Sequence, residues 1–203
     1  MRAEGVLGAL LGRTLLWLPV TFALWYLTAS WHLIPVTWVA DQLLGAWLPE
    51  AIGELRLHGK QLLLISRFGE VGGQIVTNPP SGENLGFLSN PLSYGYSLPL
   101  FAALALATPL PGRGRRLALG LAALLVVELA SMIAVQVKTL TFDTGGAFVT
   151  QQGWGSLARD AVALAYQLGS LLLPMVMPLV VWLAGHGGYV ERLAGERSPL
   201  SAP

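Results

Sequence analysis

The longest stretches without a formal charge decide what this chain can fold into. Thr14–Ile34 contains no Asp, Glu, Lys or Arg, and Leu117–Val137 carries only Glu128. A helix needs about 20 mostly apolar residues to cross a bilayer, and both runs reach that length. Two further segments qualify. Leu92–Leu110 is shorter and opened by the stretch from Pro91 to Pro99, and Ala161–Ala184 is interrupted by Pro174 and Pro178. Prolines are tolerated inside a span when neighbouring groups satisfy the freed carbonyls. Composition agrees: 11% of residues are charged and 54% hydrophobic, where a soluble domain carries about 25% charged residues. The expected fold is an all-α integral membrane bundle of about four transmembrane helices. A small extracytoplasmic β-hairpin or three-stranded element sits between helices 1 and 2.

Several function classes fall away at once. A net charge of +1 supplies no concentrated basic face for nucleic acid. Cysteine is absent, which removes disulfides, thiolate nucleophiles and cysteine-bound metal. Arg2 and Arg13 precede the first apolar run, as in a signal peptide, but the run exceeds an ordinary signal core and reads as a retained span. Trp17, Trp25, Tyr26, Trp31, Tyr94, Tyr96, Trp154 and Trp182 gather toward span ends, as an aromatic belt does.

Basic residues orient the bundle. With the N-terminus inside, Arg2, Arg13, Arg113, Arg115, Arg116, Arg192 and Arg197 are cytoplasmic, against Arg56, Lys60, Arg67, Lys138 and Arg159 outside. The tight Arg113-Gly114-Arg115-Arg116 turn is the strongest cue. Both termini are therefore expected in the cytoplasm of a bacterial inner-membrane protein, with Pro35–Pro91 and Thr139–Ala158 outside.

The outer segment 35–91 opens with Val36, Val39, Ala40, Leu43 and Trp47 at helical spacing. This predicts an interfacial helix that begins after Pro35 and closes at Pro49. Glu54–Leu57, the His58-Gly59-Lys60 turn and Leu62–Ile65 predict a hairpin. Gln74–Thr77 reads as a third strand and Asn78–Gly82 as a loop.

Two landmarks carry a resemblance: Asn90-Pro91-Leu92-Ser93-Tyr94-Gly95-Tyr96-Ser97-Leu98-Pro99-Leu100, and Ala165-Tyr166-Gln167-Leu168-Gly169 followed by Leu173-Pro174. With the small outer hairpin and the basic turn, the chain resembles the exosortase H-associated membrane proteins over nearly its whole length. The resemblance implies a small inner-membrane protein accompanying a surface-protein sorting system, with an exosortase as a partner. It brings no catalytic residues. Exosortases resemble membrane cysteine transpeptidases, and a chain without cysteine cannot be one.

Glu128 is the sharpest candidate residue. An ionisable group at mid-span costs at least about 2.5 kcal/mol and so faces a protein interior. Glu128, Ser131, Val135 and Lys138 make a partly polar stripe, and Gln167, Ser170 and Pro174 a second one. The two stripes are expected to meet as packing glue, with Glu128 protonated or bonded to Gln, Ser or Tyr. A partner contact and a proton relay are the alternatives. His32, His58 and His186 show no metal-ligand spacing, and Ser170 lies about 24 Å along a straight helix from His186, too far for a dyad. No catalytic residue, cofactor or metal is expected.

Small residues four apart, such as Ala130 and Ala134 or Ala165 and Gly169, permit close helix approach. Tyr94 and Tyr96, with Arg56 and Gln61 in the hairpin, are the residues expected to meet a partner. The functional expectation is a non-enzymatic accessory or scaffold protein of the inner membrane. A membrane enzyme or transporter subunit using Glu128 is the alternative.

Overall fold

The computed structural model describes residues 3–80 and 83–195. Expected roles of Arg2, Ser81, Gly82 and Arg197, and of the Arg192 side chain, lie outside what is described. The elements run α1 Ala3–Leu27, α2 Ala29–Trp47, β1 Ile52–His58, β2 Gln61–Val71, β3 Gln74–Thr77, β4 Asn84–Ser89, α3 Leu92–Gly95 and α4 Ser97–Ala107. They continue with α5 Arg113–Asp143, α6 Ala147–Gln152, α7 Ser156–Gln167, a π-helical turn Leu168–Leu172, α8 Leu173–Gly185 and α9 Gly187–Gly195. Among the described residues three helical stretches are long and apolar enough to cross a membrane: Gly5–Leu27, Arg113–Asp143 and Ser156–Gly185. Leu92–Ala107 is a shorter apolar stretch, split into α3 and α4 at Tyr96.

The chain divides into two compact units. One gathers α1, α4, the first half of α5, and α8 and α9 from Met175 onward. In it α1 packs on α4, and Leu10, Leu98, Phe101, Leu124 and Trp182 form the buried core. Gly120 makes this possible, since a Cβ there would overlap the Phe101 ring. The Trp182 indole N–H donates to Thr108 Oγ1 at 2.9 Å, and Thr108 Oγ1 donates to the Leu104 carbonyl at 2.8 Å. No polar atom of that pair is left bare. Leu11, Leu15, Leu16, Val20 and Leu24 of α1 are exposed, the pattern of a helix surrounded by lipid rather than water.

The other unit holds Thr28–Gly95 and Val127–Pro174. Its sheet has four antiparallel strands, not three: β2 is central and pairs with β1, β3 and β4. β4, Asn84–Ser89, follows the expected loop Asn78–Gly82 in a stretch for which no element was expected. Its alternation is weak because Gly86 interrupts it, and pairing along β2 supplies what local propensity lacks. Leu62, Leu64, Ser66 and Phe68 alternate into the core, with Leu55 opposite Leu64. α2 covers this face through Leu33, Val36, Ala40 and Leu44. Asp41 Oδ1 accepts a 2.8 Å hydrogen bond from the Leu55 amide just past a β-bulge between Ile52 and Glu54. Gly53 sits in that bulge because a Cβ would lie 2.9 Å from the Ile65 carbonyl oxygen.

Two expectations about boundaries need correction. Pro35 does not end the first helix; it lies inside α2, and the break comes earlier, at Thr28. Proline removes one hydrogen bond at a cost of about 3 kcal/mol in a helix interior, and the packed face of α2 offsets that cost. The first apolar run is accordingly Gly5–Leu27, shifted toward the N-terminus from Thr14–Ile34. In the last helical stretch the π-turn directly precedes Pro174. A proline ring collides with the carbonyl four residues back, here that of Ser170, and a widened turn relieves the collision.

Candidate functional site

Three elements of the second unit bring polar side chains into an apolar interior: α2, α3 and α5. Glu128 on α5 is 1% exposed. Its Oε1 stands 3.5 Å from His32 Nε2 on α2, and Tyr94 on α3, 2% exposed, lies within electrostatic reach of the same carboxyl. The distance to His32 is at the outer limit of a hydrogen bond. Among the described residues both carboxyl oxygens, His32 Nε2 and the Tyr94 hydroxyl are buried without a hydrogen-bond partner. Such atoms cost about 1–3 kcal/mol each when left bare. Glu128, His32 and Tyr94 thus form a buried polar cluster that the rest of the described fold leaves unsatisfied. The His32 side chain is 18% exposed and that of Glu128 is sealed, so the imidazole is the only one of the two that meets the surroundings.

The expected stripe partners lie elsewhere. Ser131 Oγ donates to its own helix at Val127 O, 2.9 Å away, and Ser170 Oγ to Tyr166 O at 2.6 Å. Gln167 is exposed. α5 and the π-turn do meet, through Gly169, whose Cβ would lie 3.2 Å from the Ser131 Cα. The contact is backbone on backbone rather than side chain on side chain. The side chain that faces Glu128 is thus His32, which no expected stripe included. The one signal for it was an imidazole inside an otherwise uncharged run. Gln136, fully buried two turns along α5 from Glu128, was also missed; its Nε2 donates to Ser89 Oγ at 3.1 Å and so ties the end of β4 to α5.

Of the residues expected to meet a partner, Arg56 and Gln61 are exposed on β1 and β2. Arg56 Nη1 lies 3.8 Å from Glu54 Oε2, a surface pair worth little. Tyr94 is a correction: buried beside Glu128, it offers no surface. Tyr96, in the other unit, is half-buried. An apolar cavity of about 530 Å³ is walled by Ala130, Ala134, Ala161 and Ala165, with Trp47 and Trp154 also lining it. The expected small-residue spacing on α5 thus opens a groove, because alanines leave room between helices.

Long apolar helices, a sealed carboxyl and a small helix-covered sheet are the marks of a membrane protein that carries a β-element. The chain belongs to the exosortase H-associated membrane protein family, whose model matches residues 4–187. Comparison with curated proteins and with solved structures gives no match.

Proposed function

We propose that this protein is a non-enzymatic accessory or scaffold of the bacterial inner membrane, serving an exosortase-type surface-protein sorting system. The observation that carries the reading is the family match over residues 4–187, joined to the exposed hairpin at Arg56 and Gln61. In this reading Leu92–Ala107 acts as a fourth, short span, both termini are cytoplasmic, and the sheet lies outside. Trp31, Trp38 and Trp47 all project outward from α2, which supports an interfacial position for that helix. The exosortase, or another membrane protein of the system, contacts the outer segment.

Reporter fusions test the topology. Fusions at Gly82 and at Gly114 are expected to report opposite compartments. Both on the same side would remove the four-span arrangement.

A second reading draws on one observation, the bare oxygens of Glu128 beside His32. A buried acid next to a partly exposed imidazole is what a proton path needs. Glu128→Gln separates the two readings, as argued in the Discussion.

A further inference from the structure

In the first turn of α5 lies a second unsatisfied group. Arg116 Nη1 is buried and has no hydrogen-bond partner among the described residues. Among the described residues Arg116 makes no ion pair. It lines a cavity of about 280 Å³ together with Phe101, Leu119, Gly120, Val181 and His186. His186 is buried, and its Nδ1 stands 2.9 Å from the Trp182 carbonyl. Burial pushes its ring down from the ordinary value; the bond to Trp182 opposes this, and the Arg116 guanidinium adds to it. The charged group that acts on the imidazole is therefore the Arg116 guanidinium. Arg113 and Arg115, in the same first turn of α5, are exposed.

An uncompensated guanidinium with a desolvated N–H is costly, and the cost disappears when an anion accepts from it. The position narrows the anion. Arg116 is in the first turn of the candidate span Arg113–Asp143, and His186 follows the last residue of Ser156–Gly185. Span ends lie at the level of lipid headgroups. The remaining walls are apolar, and the volume exceeds several times the roughly 30 Å³ share of one water.

We propose that this cavity binds a phosphate group, held by the Arg116 guanidinium with His186 beside it. The phosphate comes from a phospholipid headgroup whose chain lies along Phe101 and Val181, or from a free phosphate.

The test uses the whole chain, purified in detergent and stripped of lipid. Its melting temperature is followed against inorganic phosphate, with chloride at equal ionic strength as control, and against short-chain phosphatidylglycerol. A lipid source gives half-maximal stabilisation at a far lower concentration of the phosphatidylglycerol than of inorganic phosphate, because the apolar walls add affinity. A free-phosphate source gives the two the same midpoint. In either case Arg116→Gln weakens the response by about tenfold or more, the loss of a charge-assisted hydrogen bond, and Arg115→Gln leaves it unchanged. Without ligand, Arg116→Gln is as stable as the parent or more so, since it deletes a half-buried guanidinium whose Nη1 is desolvated and unpaired. Arg116→Lys, which keeps the charge and loses the fork, weakens the response several-fold and carries the test if the glutamine chain does not accumulate. An unchanged response in Arg116→Gln and Arg116→Lys, or no response of the parent to either probe, overturns the proposal.

Discussion

Phe68→Ala is expected to lower the unfolding free energy of the sheet-bearing unit by about 3–5 kcal/mol, the range for a fully buried phenylalanine replaced by alanine. Phe68 is 0% exposed and meets Phe148 edge to face at 6.3 Å. Phe148 in turn meets Trp154 at 5.1 Å. This aromatic row links β2 to α6 and the segment before α7, and truncation at Phe68 removes its β2 end. Most of a small domain's total stability is only about 5–15 kcal/mol, so the sheet should open at much lower denaturant. Limited proteolysis in the β2–β3 region, followed against denaturant in detergent, measures it. A midpoint within error of the parent would mean the row does not support the sheet.

The second large effect is at Glu128, where two substitutions should separate sharply. Glu128→Lys places an ammonium in a sealed site beside His32 and should cost about 3 kcal/mol or more, enough to prevent accumulation. Glu128→Gln keeps the shape, replaces a carboxyl whose oxygens have no hydrogen-bond donor among the described residues, and should leave accumulation and cellular function intact. Both are read by protein level together with a functional readout. Full accumulation of Glu128→Gln with complete loss of function would instead establish the proton-handling reading.

How much of this was legible in the sequence follows from the range of the interactions. Apolar runs announce themselves locally, so three of the four expected segments recur as candidate spans. The hairpin of β1 and β2 was legible because the His58-Gly59-Lys60 turn and its flanking alternation are adjacent in sequence, and Gly59 does take a positive φ of 65°. The break at Thr28 was not: Pro35 is the louder local signal, and only packing of α2 on β1 keeps the helix going through it. β4 was missed because it depends on pairing with β2, at Leu64 opposite Phe87, and carries little propensity of its own. The interior position of Glu128 could be inferred from the cost of exposing it to lipid. Its neighbour His32 could not, since no local pattern says which two helices meet. Helical spacing predicted the face of α2 only in part: Val36 and Ala40 are buried, and Leu43 and Trp47 are exposed.

The proposal that the outer segment makes the partner contact is tested most directly by site-specific crosslinking in cells. Photo-reactive residues at Arg56, Gln61 and Glu83 report on the exposed sheet, and the same probe at Ala134 and Ala161 reports on the apolar groove between helices. A strand edge with unpaired amides can accept a strand from another protein, so the sheet positions are expected to trap a second membrane protein of the sorting system, with the groove positions giving mainly lipid adducts. Silence at all three sheet positions, with strong protein crosslinks from Ala134 and Ala161, would place recognition inside the membrane and contradict this account.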